Sequence, residues 1–189
     1  MKILKTSLNL FLLLTVLVGI AYPVCMFVVG QVFFRKEANG SLVYDKEKNI
    51  IGSELIAQNF TSAKYFQPRP SAANFDASNS SASNLGPTSQ ALIDGLRSRA
   101  AAYRSTNGLT ATSVIPADAV TASASGLDPH ISVENALFQA PRVAGARSLS
   151  LEALKKIIAK HTEHSFCGLF GEKRVNVLRI NLVLDGEKK

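Results

Sequence analysis

Residues 7 to 34, SLNLFLLLTVLVGIAYPVCMFVVGQVFF, contain no charged side chain. A helix that is apolar on every side has to be covered on every side, by protein or by lipid. The left flank, MKILKT, carries Lys2 and Lys5. A secretory leader would need that basic start, an apolar run of roughly 7–15 residues and small residues before the cut. Gly19 and Ala21 could supply the cut, yet Val24 to Phe34 is nearly as apolar as what precedes it, and a cleaved leader has no use for that continuation. As one helix the stretch extends about 42 Å at roughly 1.5 Å per residue, more than the roughly 30 Å of a hydrocarbon core. Tilt, a bend at Pro23, or an interfacial last turn with Gln31, Phe33 and Phe34 absorbs the excess. The stretch reads as a permanent span. The chain then divides into a short head at 1–6, a transmembrane signal anchor at 7–34 and a soluble α+β domain at 35–189.

Charge alone does not orient the span. Lys2, Lys5 and the amino terminus lie on one side, and Arg35, Lys36, Lys46 and Lys48 on the other, so the positive-inside count slightly opposes an inward N-terminus. A six-residue head before a long apolar run nevertheless reads as a signal anchor that exports the C-terminal part of the chain. Of the two cysteines, Cys25 lies inside the apolar run and Cys167 far beyond it, which speaks against an intrachain disulfide. Tyr22, Pro23 and Val24 are poor neighbours for lipid attachment at Cys25, which reads as a small apolar filler.

Beyond the span, Asn39-Gly40 predicts a turn into a short strand. Pro68 and Pro70 forbid a regular helix around Arg69 and hold it on an extended stretch. Residues 71–86 are small and polar and read as a long loop. A helix is expected from Pro87-Thr88 to about Arg104, with Leu92, Ile93, Leu96, Ala100 and Tyr103 inward and Arg97 and Arg104 outward. Ser132 should cap the next helix, with Glu134 in its first turn, and Pro141 should kink or shorten it after Ala140. Ser150 should cap another, stapled by Leu149 and Leu154, with Leu151, Leu154, Ile157 and Ile158 as its buried stripe. In RVNVLRINLVLD the apolar phase changes after Val177, which suggests a bulged strand or one buried on both faces.

The formal charge of +7 is spread along the chain. Its densest groups, Arg97/Arg99/Arg104 and Lys155/Lys156/Lys160, read as solvated helix faces, and no nucleic-acid-binding pattern accompanies them. The chain lacks a phosphate-cradling GxxxxGK[ST] spacing and a Gly-rich dinucleotide fingerprint. Ser123 and Ser125 are not set in GxSxG. His161 and His164 have helical i, i+3 spacing but read as structural groups at a helix end, so no metal is expected. Asp118 and Asp128 read as caps in preference to a catalytic pair. No catalytic residue stands out. Two segments are more polar than a scaffold requires. In 58–72, Gln58, Asn59, Arg69 and Ser71 lie near Phe60, Tyr65 and Phe66, a mixture suited to protein interfaces. In 121–128, TASASGLD, the small side chains of Ser123 and Ser125 before Asp128 could expose backbone N–H groups to an anion.

These segments resemble the C subunit of the Kdp potassium-importing P-type ATPase. The likeness covers nearly the whole chain, through YPVCMFVVGQVFF, EANGSLV, GSELIAQNF, YFQPRPSA, SNLGPTS, PADAVTASASGLDPHIS, APRVAGARSLSLEALKKII and RVNVLRINLVLD. The resemblance implies a non-catalytic single-span subunit of the bacterial inner membrane, with its soluble domain outside the cytoplasm. Its implied partners are a channel-like A subunit that selects potassium, a B subunit that hydrolyses ATP, a small F subunit and membrane lipid. ATP and potassium are then handled by the complex, and the chain has no cofactor of its own. It has neither a DKTG-like phosphorylation sequence nor a TVGYG-like filter. The family is described as a catalytic chaperone that raises the ATP affinity of the B subunit. An assembly role implies that Gly19, Pro23, Gly30 and Gln31 pack the span against neighbouring helices. A nucleotide-responsive role would set residues 121–128 and Arg69 or Arg142 near phosphates. The chain departs from the family pattern at SNSSAS before Asn84, where a glycine pair is common, and at Lys173, often a proline. The alternative is a stand-alone membrane-anchored envelope domain with a protein or peptide partner.

Overall fold

The computed structural model describes residues 1–165, 168 and 170–186, which form two compact units, Met1–Leu42 and Val43–Lys189. In the first, helix α1 (Lys2–Val16), a π-helical turn (Leu17–Ala21) and helix α2 (Tyr22–Phe33) run on as one apolar rod. The most apolar 18-residue window of Lys2–Phe33 has a mean hydropathy of 2.5 and no buried residue. It is, among the described residues, the one helix long and apolar enough to cross a membrane. A single-pass anchor fits it. Pro23 has no N–H to give the preceding turn, and the structure meets this by widening that turn, with the Tyr22 N–H donating to the Leu17 carbonyl. Gly19 faces open space, the nearest side-chain atom to an added Cβ being Thr15 Cγ2 at 4.0 Å. Gly30 sits under the short helix α3 (Arg35–Ala38), where a Cβ would lie 3.7 Å from that of Ala38, and Gln31 accepts from Asn39 Nδ2 at 3.3 Å. Cys25 is an exposed free thiol, whereas Cys167 lies outside the described residues.

The second unit mixes helices with two small sheets. Strands β1 (Leu42–Tyr44) and β2 (Ile50–Ser53) pair around a turn in which Asp45 accepts from the Glu47 and Asn49 N–H groups at 2.8 Å. Strands β3 (His130–Ser132), β5 (Arg174–Asn176) and β4 (Thr162–Glu163) form an antiparallel sheet with β5 central. Ile131 faces Val175 across it, as Thr162 does from the other side. The core gathers Phe66, Ile131, Val175, Leu154, Ile158 and Ile180 against the small residues of α6 (Val133–Arg147).

Both expected serine caps form. Ser132 accepts from the Asn135 N–H at 3.0 Å to start α6, and Ser150 from Ala153 at 3.2 Å to start α7 (Leu151–Lys160). The stripe of α7 is narrower than the pattern predicts, with Leu154 and Ile158 buried, Ile157 half-buried and Leu151 exposed. Pro141 does not shorten α6, which continues to Arg147. Its missing N–H would have met the Leu137 carbonyl, and both residues lie on the exposed face, where water can serve that oxygen. Helix α4 spans Gln90–Asn107, ahead of the single-turn α5 (Ala117–Val120), and stops at Gly108, whose left-handed conformation (φ 64°) lets the Leu109 N–H return to the Arg104 carbonyl at 2.9 Å. Arg97 is exposed as expected. Arg104 instead turns in, donating to the Ser113 carbonyl from Nε and Nη2 at 3.3 and 3.0 Å.

Two expectations at the C-terminal end are overturned. His161 and His164 do not share a helix, because α7 ends at Lys160 and Thr162–Glu163 is a strand. RVNVLRINLVLD is not one strand: β5 stops at Asn176 and α8 (Val177–Leu184) follows. Asn176 caps it, accepting from the Arg179 N–H at 3.1 Å. The phase change after Val177 is therefore a switch from period 2 to period 3.6, with Val177, Leu178, Ile180 and Asn181 buried on one helical face.

Candidate functional site

After a turn at residues 62–65, closed by the Tyr65 N–H on the Ser62 carbonyl at 3.1 Å, residues 66–70 cross the second unit without a strand partner, so their backbone groups need other acceptors and donors. Side-chain amides supply them. Asn181, from α8, accepts from the Phe66 N–H at 2.8 Å and donates to the Phe66 carbonyl at 2.9 Å. Gln139, from α6, does the same for Gln67, at 2.7 and 3.1 Å. Each amide thus imitates one rung of a β-ladder. Arg142 adds bonds from Nη1 to the Ala63 and Tyr65 carbonyls at 2.6 and 3.0 Å, and Arg147 donates to the Lys64 carbonyl at 2.6 Å.

Behind the clamps lies a buried polar network. Gln139 donates to Asn135 Oδ1 at 2.9 Å, Tyr103 donates to the same oxygen at 2.8 Å, and Asn135 Nδ2 donates to Asp118 at 3.0 Å. Asp118 also receives the Ser132 N–H at 2.8 Å, which fixes the start of α6. Burial, reinforced by the Asp118 charge, pushes the Tyr103 hydroxyl up, and burial draws the Arg142 guanidinium down. Asn135, Gln139 and Asn181 are each 1% exposed, so these amides are full members of the core.

The two polar segments singled out in the sequence meet. The Ser123 N–H donates to the Pro70 carbonyl at 2.9 Å, Ser71 Oγ to the Gly126 carbonyl at 2.6 Å, and Arg69 Nη1 to Asp128 at 3.0 Å. Ser125 Oγ takes the Leu127 N–H, Ser123 Oγ the Asp128 N–H and the Ser123 carbonyl the Gly126 N–H, at 3.1, 3.3 and 3.2 Å. Four N–H groups of this stretch therefore already have acceptors within the chain. Gly126 is required here: it holds φ +72°, and a Cβ would fall 2.7 Å from that of Ala73. Burial alone would raise the Asp128 carboxyl, but hydrogen bonds from His130 and Arg69 outweigh it and hold it at about 2.

Asp128 opens a run of charges across one face of the three-stranded sheet. His130 lies between Asp128 (3.4 Å) and Glu163 (3.5 Å), and Glu163 pairs with Arg174 (3.1 Å) and Arg179 (2.8 Å). Arg179 also pairs with buried Glu54, whose hydrogen bond holds the guanidinium above its ordinary value. Among the described residues no three His, Cys, Asp or Glu side chains are arranged to hold a metal.

Not every sequence candidate joins this region. Gln58 turns to the hairpin and donates to the Ile51 carbonyl at 2.7 Å. Arg142 works beneath residues 63–65. Asn59, Phe60 and Arg69 instead border an open groove of about 350 Å³ between the Pro68–Pro70 strap and α4. Three further residues of that groove, Phe75, Arg99 and Tyr103, were not singled out from the sequence as a site.

Residues 4–186 match the protein family described as KdpC, the c chain of the K+-transporting ATPase. The chain belongs to the KdpC family. It is 50% identical over 181 residues to the potassium-transporting ATPase KdpC subunit of Mycobacterium tuberculosis, covering 95% of both chains. To the KdpC subunit of Polynucleobacter asymbioticus it is 49% identical over 191 residues, with 98% of both covered. To that of Rhodopseudomonas palustris it is 46% identical over 202 residues, with 100% of both covered. The apolar rod, the amide-clamped strap and the charge run are thus features of a KdpC chain.

Proposed function

We infer that this chain is a non-catalytic accessory subunit of a potassium-importing P-type ATPase of the bacterial inner membrane. It assembles through its span with a channel-like A subunit, an ATP-hydrolysing B subunit and a small F subunit, and its second unit works outside the cytoplasm. The observation that carries the reading is the apolar rod Lys2–Phe33, every residue of which is exposed except at its last turn, joined to a domain of this family. Such a surface needs lipid and neighbouring helices to cover it, and small residues such as Gly19 permit close helix approach. A role in raising the ATP affinity of the B subunit is then exerted through contact with partner subunits. The occupied N–H groups of 123 and 126–128 support that route over direct phosphate binding.

The test is co-purification of the full chain with the A and B subunits from membranes, with and without this chain expressed. Its loss should lower recovery of the assembled complex and raise the ATP concentration needed for half-maximal hydrolysis. A chain that purifies alone, with an unaltered ATPase, would favour the stand-alone envelope domain. Reporter fusions after Lys189, one active only outside the cytoplasm and one only inside, decide the orientation.

A further inference from the structure

The groove between the strap and α4 has a composition that the internal architecture does not use. Among its described lining residues are two arginines, Arg69 and Arg99, and no carboxylate. Arg99 spends its Nε on the Val120 carbonyl at 2.6 Å, and its Nη1 and Nη2 lie over Gly95, near 3.5 Å from where a Cβ would stand. Those two terminal nitrogens have no acceptor among the described residues. They keep the fork geometry that takes a carboxylate through two parallel bonds. Arg69 gives Nη1 to Asp128, while its buried Nε has no hydrogen-bond partner.

Two amides are also uncommitted. Asn59 and Gln67 line the groove, and neither side chain bonds to another described residue. The same fold shows what such amides do beside an extended chain, because Asn181 and Gln139 each clamp the N–H and C=O of one extended residue. Phe75 lines the groove with φ +59°, and Asn74 before it has φ +51°. Left-handed backbone is costly for a bulky side chain, and it is held here by the Phe75 N–H donating to Ser71 Oγ at 3.0 Å. The strained turn keeps an aromatic ring beside Pro68 and Pro70, so the groove carries apolar anchors next to its cations.

We propose that this groove docks an extended, acidic segment of another polypeptide, its carboxylate on the Arg99 fork and its backbone on the Asn59 and Gln67 amides. The proposal rests on the reading of the chain as one subunit of a larger membrane assembly, and the partner is an exposed loop of another subunit on the same side of the membrane. Charge complementarity favours that occupant over an apolar helix, which would leave the Arg99 fork without a counter-charge.

The experiment places the photo-crosslinker benzoyl-phenylalanine at Thr106, an exposed groove residue on α4, in the full chain co-expressed with the A, B and F subunits. Crosslinked peptides are then sequenced. The expected product joins Thr106 to a subunit loop with Asp or Glu within a few residues of the crosslink. Arg99→Glu should cut its yield about tenfold, with Arg99→Lys between the two. A crosslinker at Lys155, on α7, should be indifferent to both changes. A complex that purifies intact with no Thr106 product, with lipid adducts only, with a loop lacking acidic residues, or with a yield unchanged by Arg99→Glu overturns the groove and leaves the subunit reading standing. A chain that fails to purify with the other subunits overturns both.

Discussion

Asn181→Leu tests whether side-chain amides hold residues 63–70 in place. Asn181 is 1% exposed and Phe66 fully buried, so removal of the amide leaves the Phe66 N–H and C=O without partners where water cannot reach them. An unsatisfied buried group costs about 1–3 kcal/mol, so two cost roughly 2–6 kcal/mol. Leucine has the same branched outline and recovers part of this by apolar burial, about 1.5 kcal/mol. The expected net loss is roughly 3 kcal/mol, which for a domain of this size lowers the midpoint by roughly 6–12 °C. Thermal unfolding of the full chain in detergent, followed by circular dichroism, measures it. Asn59→Leu is the matched control, an exposed amide whose side chain has no hydrogen-bond partner among the described residues, and should shift stability by no more than about 0.5 kcal/mol. If Asn181→Leu melts within about 1 kcal/mol of the parent, the strap is held by its hydrophobic contacts and the clamp argument is wrong.

Other substitutions report on single devices. Gly126→Ala combines left-handed backbone with a 2.7 Å approach to the Ala73 Cβ and should cost about 2 kcal/mol or more in the same melt. Ser150→Ala removes the acceptor for the Ala153 N–H and should cost about 1 kcal/mol, with Ser150→Asp restoring most of it. Asp128 has its folded pKa held at about 2 against an ordinary 3.8, so its stabilising contribution is complete above the ordinary value and fades as pH falls through the folded one. Acid titration of Asp128→Asn should therefore show less stability lost between pH 4 and 2 than in the parent. An unchanged acid limb would assign that loss to other carboxylates.

The sequence exposed the elements whose signals are local. Ser132 and Ser150 announced their helices, because a cap needs only a side-chain oxygen and an N–H three residues on. The apolar rod was legible because no side chain interrupts it. Elements decided by distant partners were read wrongly. Asn176 reads equally well as a polar strand residue or as a cap, and the choice is made by Glu54, whose carbonyl takes its Nδ2 from 122 positions away at 2.8 Å. Pro141 looked like a helix end because the sequence does not say which carbonyl it deprives, or that this carbonyl faces solvent. The site was half legible. Arg69, Ser71, Ser123 and Asp128 could be singled out and do converge. Gln139, Asn135 and Asn181 could not, because an amide inside a helix ordinarily signals an exposed face. Their spacing held the clue: Asn135 and Gln139 are four apart, in phase with the buried Ala136, Ala140 and Val143 of α6.

The two units of this chain are stabilised in opposite ways, and that difference bears on how the proposed accessory role could be exerted. The rod leaves its apolar side chains exposed and is complete only when lipid or other helices surround it. The second unit directs its most polar backbone inward, where Asn181, Gln139, Arg142 and Arg147 fix residues 63–67 from two helices. A strap held at that many points loses little conformational freedom when something binds beside it. A docking segment would meet a surface already ordered, and more of the contact energy appears as affinity. Loosening the strap at Asn181 should then weaken docking even though Asn181 is buried away from any partner, whereas Arg99→Lys should weaken docking while costing the melt no more than the one hydrogen bond to the Val120 carbonyl, about 1 kcal/mol. That separation distinguishes a preorganised surface from one that forms only on contact.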